Sequence, residues 1–336
     1  MDNGTVHGIE GHTSSVRRWS HRARRSVFWL REISRHPANQ GARFAAEFRA
    51  ITWHWRTRSG ADVEAVVTVD GRTRIVARPD QFPAVWTLYD GVHEWDELQF
   101  CLRYLRPGDH FVDVGANVGV FSTLVGTRIP DVRITAVEPF PPVREELEAN
   151  LALNNLDVTV IGGALSDAAG EATFEVLDRD ALNRLAPDGS ANPPSGSEHS
   201  VITVPVTTLD DLVGSDPPAL IKIDVEGSEL LVMKGARKLL AGAGATPVIL
   251  FEHNGYCAHF GITPAEVRAF LTEAGYTIYL LDGHLTPWHS DALPPTLNVL
   301  ACRDIEAVKS RINSPGGAPA VPPVRVDVQY RDRGAT

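Results

Sequence analysis

The chain has 336 residues, 43% of them hydrophobic, and carries a net charge of −10 from 32 basic and 42 acidic residues. That length suits one large catalytic domain with appendages rather than two equal halves, and the acidic balance argues against a nucleic-acid partner, because phosphate binding needs a surplus of positive charge. The three cysteines, Cys101, Cys257 and Cys302, lack paired metal spacing. With no apolar run long enough to span a bilayer and no cleavable leader, the expectation is a soluble, cytoplasmic protein with free thiols.

Residues 1–60 read as a basic, helical arm. Arg17, Arg18, Arg22, Arg24, Arg25 and Arg31 interleave with Trp19, Val27, Phe28, Trp29 and Leu30. A loosely ordered arm or a helix packed on the main domain is the plain expectation, and weak contact with an anionic membrane surface is the sharper one. Residues 61–105 read as a cap. Two β-branched runs flank Asp70-Gly71, a pair that tolerates the positive φ angles of a tight hairpin, and a helix over 93–105 carries Trp95, Leu98, Leu102 and Leu105 on one face.

From residue 106 to 305 the pattern becomes regular. Strands at 110–114, 132–137 and 158–161 alternate with helices at 118–129 and 142–154. The alternation resumes with strands at 220–224, 248–251, 277–281 and 297–301 and helices at 228–240 and 264–274. This order predicts a doubly wound α/β domain, its mostly parallel sheet covered on both faces. Residues 178–200, rich in Pro, Gly, Ser and Asn, interrupt it and are expected to form a mobile loop over the acceptor, and residues 306–336 are expected to be a disordered tail.

Chemistry concentrates at strand ends. The first strand runs into Asp113-Val114-Gly115-Ala116-Asn117-Val118-Gly119, where the glycines bring bare backbone against a ligand. The next ends in Val137-Glu138-Pro139, an acid placed to accept both hydroxyls of a ribose. Ala116 and Asn117 depart from the dinucleotide fingerprint, and Asp113 would repel a pyrophosphate. A ligand with an ammonium and a sulfonium, S-adenosylmethionine, is therefore preferred to NAD, which leaves an NAD-dependent oxidoreductase as the rival reading.

In these stretches the sequence resembles the FkbM family of methyltransferases, over residues 94–254. The matching segments are 112–119, Val137-Glu138-Pro139, Ala164-Leu165-Ser166-Asp167, 206–212, and 221–229 leading to Lys234-Gly235-Ala236. The resemblance implies a Rossmann-like class I methyltransferase sheet of seven strands. It implies that Asp113, Gly115, Asn117 and Gly119 hold the methionine part of the donor, that Glu138 and Pro139 meet the ribose, that Ser166 and Asp167 face the adenine, and that Glu94 touches the amino group.

Asp224, Glu226 and Glu229 stand where the fourth parallel strand ends, with Lys222 before them; one acid is expected to pair with that lysine or with the donor's amine. Asp224 is the expected donor or acceptor contact, and Glu229 has the plainer reading of satisfying a helix N-terminus. The fifth strand ends in Glu252-His253-Asn254. An alcohol needs a base as its bond to carbon forms, so His253 is the expected catalytic base, with Asp224 and Glu252 as substitutes. A magnesium ion held by Asp224, Glu252 and Asn254 is the less favoured alternative. The expected reaction is O-methylation of a sugar, glycan or polyhydroxylated small molecule; N-methylation and a silent donor-binding module stand behind it. Acceptor identity and oligomeric state carry no readable code.

Overall fold

The computed structural model describes residues 29–58, 63–176, 183–187, 200–242, 246–317 and 324–332. The helix read into the first 28 residues and most of the expected mobile loop lie outside them.

Three layers follow from the chain order. Helix α1 (Arg43–Arg58), strands β1 (Val63–Val69) and β2 (Thr73–Ala77), and helices α2 (Phe82–Asp90) and α3 (Trp95–Tyr104) build the cap. The β1–β2 turn has Asp70 at φ 52° and Gly71 at φ 65°, as an Asp-Gly hairpin requires.

The second layer is the main sheet. Strand β3 (His110–Val114), helix α4 (Val120–Arg128), strand β4 (Arg133–Val137), helix α5 (Pro141–Leu153) and strand β5 (Thr159–Ile161) supply its first half. A smaller sheet is then inserted: β6 (Ala164–Leu165), β7 (Gly170–Val176), β8 (Arg184–Leu185) and β9 (Ser200–Thr207), in the order β6-β9-β7-β8. Helix α6 (Leu209–Val213), strand β10 (Leu220–Ile223), helices α7 (Glu229–Lys234) and α8 (Arg237–Ala241), strand β11 (Val248–Glu252), helix α9 (Pro264–Glu273) and strands β12 (Thr277–Leu280), β13 (Pro287–Trp288) and β14 (Asn298–Cys302) return to the main sheet. Helix α10 (Ile305–Asn313) and strand β15 (Val326–Asp332) close the described chain.

The main sheet has the order β13-β12-β14-β11-β10-β3-β4-β5. Strands β5, β4, β3, β10 and β11 are parallel, and β14 runs antiparallel between β11 and β12. Leaving aside the two-residue β13, these are the seven strands expected, in a doubly wound, mostly parallel class I sheet. Every residue of β3, β10 and β14 is buried, which is why these segments read as continuous rather than alternating apolar runs. Phe111 on one face and Phe251 on the other sit in separate core clusters, each stabilised by roughly 1.5–3 kcal/mol per fully buried large side chain.

Three expectations need correction. The tail is ordered over α10 and again over β15, which pairs with β1 from Val69↔Val326 to Val63↔Asp332. The alternation Val326, Val328, Tyr330 turns one face inward, and Tyr330 stacks on Trp53 with ring centroids 6.4 Å apart. The single helix expected over 228–240 is two helices, broken at Gly235-Ala236. A Cβ on Gly235 would lie 2.1 Å from the Ser166 carbonyl oxygen, so the two backbones touch at the break. Lastly, the alternation passed over a second sheet, β6 to β9, of which only Arg184–Leu185 and Ser200 fall within the residues expected to form the mobile loop.

Candidate active site

The parallel strands deliver their C-terminal ends to one edge, and a cavity of about 570 Å³ opens there. Its floor is the turn after β3. Gly115 (φ 79°) lies under the β10 loop so closely that a Cβ would stand 1.8 Å from the Asp224 carbonyl oxygen. Gly119 (φ 81°) would meet Leu147 Cδ1 at 2.3 Å, so it packs the turn against α5 and lies outside the cavity lining. Asn117 is left-handed without being glycine, at φ 50°, and its Oδ1 accepts from Val118 N at 2.8 Å, the local bond that lets Asn adopt this conformation.

Glu138 ties this turn to the next. It is 6% exposed; its Oε2 accepts from Asn117 N at 3.0 Å and its Oε1 from Phe140 N at 2.9 Å. The acid thus holds the two loops together at the edge of the cavity that it lines. Asp113, 1% exposed, accepts from Ser122 Oγ at 2.7 Å through Oδ2, whereas its buried Oδ1 has no hydrogen-bond partner. Burial pushes its pKa up, against the pull of Lys222.

Lys222 is the charge around which the site is arranged. Its Nζ is 2.7 Å from Asp224 Oδ2, 3.8 Å from Glu94 Oε2 and 4.6 Å from the Phe121 ring centroid. Burial opposes the ammonium, but Asp224, Glu94 and Asp113 outweigh it and raise its pKa above the ordinary lysine value. The expected pairing of the lysine with a neighbouring acid is therefore present. Glu94, at φ 52°, also accepts from Asn298 Nδ2 at 3.4 Å, and Glu97 beside it is lifted to about 7, by burial first and by Glu94 second.

Beyond the lysine lies an acidic end. One carboxylate oxygen from each of Asp224, Glu226 and Glu252 falls within 4.8 Å of the others. Glu226 Oε2 and Glu252 Oε2 are buried without hydrogen-bond partners. Burial, reinforced by the neighbouring acids, pushes Glu226 up to about 8 and Glu252 up to about 10. Glu229 is different. Its Oε1 accepts from Gly227 N at 3.0 Å and Val225 N at 3.3 Å, so it braces the turn ahead of α7.

Several expected site residues do not reach the cavity. His253 is 5% exposed, absent from the lining, and pushed down to about 4 by burial. Its ring lies 5.7 Å from that of Phe251. Glu252, one residue earlier, lines the cavity; side chains alternate along a strand, so the two cannot both face it. Ser166 and Asp167 also lie off the lining, and Asn254 Oδ1 accepts from Tyr256 N in the following turn. Pro139 does line the cavity.

Other lining residues carried no sequence signal. Phe82 and His93 come from the cap, Phe174 and Arg184 from the inserted sheet, and Thr296 to Asn298 from the approach to β14. Only Asn298, a polar residue in an apolar strand, could have been flagged.

A family profile described as the methyltransferase FkbM domain matches residues 113–278. The chain is 26% identical over 195 residues to the hexuronic acid methyltransferase AglP of Haloferax volcanii, covering 56% of this chain and 72% of that protein. It is 32% identical over 160 residues to the 31-O-demethyl-FK506 methyltransferase FkbM of Streptomyces tacrolimicus, covering 39% and 60%. A shorter match, 47% identical over 70 residues, is to the AMB antimetabolite synthetase AmbE of Pseudomonas aeruginosa, covering 21% of this chain and 3% of that protein. The chain thus spans only part of the length of these relatives.

Proposed function

Given that this chain belongs to the FkbM family of methyltransferases, we propose that it transfers a methyl group from S-adenosylmethionine to a hydroxyl of a sugar or other polyhydroxylated acceptor. The observation that carries this reading is the polarity of the cavity, with ligand-holding groups at the β3–β4 end and unpartnered carboxylates at the β10–β11 end.

The residues present fit the donor. The unpartnered Oδ1 of Asp113 and the carboxylate of Glu94 suit an ammonium, Glu138 suits vicinal hydroxyls, and Val114, Ala116, Val137 and Leu165 supply apolar surface for a flat base. When bound, S-adenosylmethionine supplies a methyl carbon made electrophilic by its positively charged sulfur. As the acceptor oxygen bonds to that carbon, the carbon–sulfur bond breaks, its electron pair stays on sulfur, and the hydroxyl proton must leave.

Glu252 and Glu226 are the groups suited to take that proton. Desolvated among other acids, they hold protons more tightly than ordinary carboxylates, so they are stronger bases than a free carboxylate. Lys222 donates to Asp224 Oδ2 and orients it beside them. His253 has neither the position nor the basicity for the task. AglP is named for a hexuronic acid acceptor, which supports testing acidic and neutral sugars first.

The test is incubation with isotopically labelled S-adenosylmethionine and a panel of uronic acids, neutral sugars and polyols, with mass spectrometry of the products. Label on an acceptor oxygen supports the reading, with Glu252→Gln abolishing it and His253→Ala retaining it. Label on nitrogen only would replace it with N-methylation. Activity that is lost to a chelator and restored by magnesium would reassign the three carboxylates to a metal ion.

A further inference from the structure

Helix α1 buries one side and leaves the other uncovered. Ala46, Ala50 and Trp53 face inward, and Arg49 donates to the carbonyl oxygens of Leu88 (3.0 Å) and Tyr89 (2.9 Å), fastening the helix to α2. On the outside, Phe44, Phe48, Ile51 and Trp55 are 88%, 71%, 54% and 71% exposed. At about 100° per residue these four positions fall within an arc of roughly 60°, so they form one stripe along the helix. Single exposed apolar residues are ordinary, but a contiguous row of four large ones marks a contact surface.

The charge around the stripe identifies the partner. Arg31, Arg35, Arg43 and Arg58 are exposed in this layer. Residues 17–58 contain eleven arginines and two acids, Glu32 and Glu47, in a chain whose net charge is −10. A second copy of this face would oppose arginine to arginine. The chain's own first residues are no better a cover, because Arg17, Arg18, Arg22, Arg24 and Arg25 repeat the same sign and residues 11–28 contain no acid. Aromatic residues in a row flanked by arginines match a lipid–water boundary, where rings sit at headgroup depth and guanidinium groups reach the phosphates.

We propose that the outer face of α1 docks on an anionic lipid bilayer, with Phe44, Phe48, Ile51 and Trp55 entering the headgroup boundary and the surrounding arginines pairing with acidic headgroups. No described helix is long and apolar enough to cross a membrane, and the arginines within α1 suit it to lie on the surface. Helix α2, on which α1 packs, begins with Phe82 and Pro83 in the lining of the cavity, so docking holds the cavity one helix away from the bilayer.

The test is co-sedimentation of the full-length chain with vesicles of phosphatidylcholine alone and of phosphatidylcholine with about one third phosphatidylglycerol. Binding to the anionic vesicles only is expected, weakening as salt rises, and Phe48→Glu/Trp55→Glu should lower the partition coefficient by about tenfold or more. That variant should bind S-adenosylhomocysteine as the parent does, which shows that its fold is kept; if it fails to, Phe48→Ser is used instead. Vesicle binding unchanged in the variants would assign it to other arginines and overturn the proposal. Equal binding to both vesicle types, or a dimer that the substitutions dissolve without any vesicle binding, would overturn it too.

Discussion

Replacing Lys222 by Met tests whether the site is organised around one buried cation. The methionine keeps the length and packing of the lysine stem beside Phe121 and removes only the charge, so the loss reports electrostatics rather than a cavity. Asp224, 2.7 Å away, would then be left without its cation, and Glu94 at 3.8 Å would lose the same partner. Breaking a buried ion pair from one side costs about 3–5 kcal/mol. The side chain of Asp224 is 25% exposed, so water relieves part of this, and the expected loss lies near the lower bound, about 3 kcal/mol. Urea unfolding of Lys222→Met, Asp224→Asn and the double variant measures it as a cycle, and the double variant should recover at least half of the Lys222→Met loss, because the unpaired acid is gone. A loss below about 1 kcal/mol, or a double variant no better than Lys222→Met, would refute the reasoning.

Gly115→Ala forces a Cβ to within 1.8 Å of the Asp224 carbonyl oxygen at φ 79°, and should weaken S-adenosylhomocysteine binding more than about tenfold by calorimetry. Glu138→Gln sets an amide NH2 against one of the two backbone N–H groups that the carboxylate accepts from, which costs about 1–3 kcal/mol and should lower both melting temperature and donor affinity. Asp90, buried in α2 and accepting from Asn39 Nδ2 at 2.9 Å, is raised by burial to about 7. A raised carboxyl favours the fold while it is protonated, so its contribution is complete below about pH 4 and is lost as pH rises through about 7; Asp90→Asn should flatten unfolding free energy against pH over that window. Because Glu226 and Glu252 are also raised, the rise of kcat/KM with pH should centre well above the ordinary carboxylate range. A bound cationic donor favours their ionised forms, so the kcat profile should lie at lower pH.

The parallel sheet was legible because buried strands and helices alternate at the lengths their packing requires, and the β3–β4 end of the cavity because Asp113, Gly115, Asn117 and Glu138 occupy consecutive strand ends. The β10–β11 end was less so. The choice of His253 over Glu252 turned on intrinsic pKa, and the one-residue alternation of a strand reversed it by sending His253 into the protein and Glu252 into the cavity. Residues such as Phe82, Phe174 and Arg184 arrive from elements distant in sequence, and no local pattern encodes that convergence. The tail misled for a different reason. Pro and Gly around residue 318 hid the two-residue alternation of Val326, Val328 and Tyr330, whose burial depends on β1 and Trp53, far away in the chain.

The most direct test of the whole account is calorimetric titration of the purified chain with S-adenosylhomocysteine and, separately, with NADH, repeated on Asp113→Asn. One S-adenosylhomocysteine per chain, weakened by the substitution, with no heat from NADH, is the predicted result. NADH binding in its place, or S-adenosylhomocysteine affinity indifferent to Asp113, would contradict it.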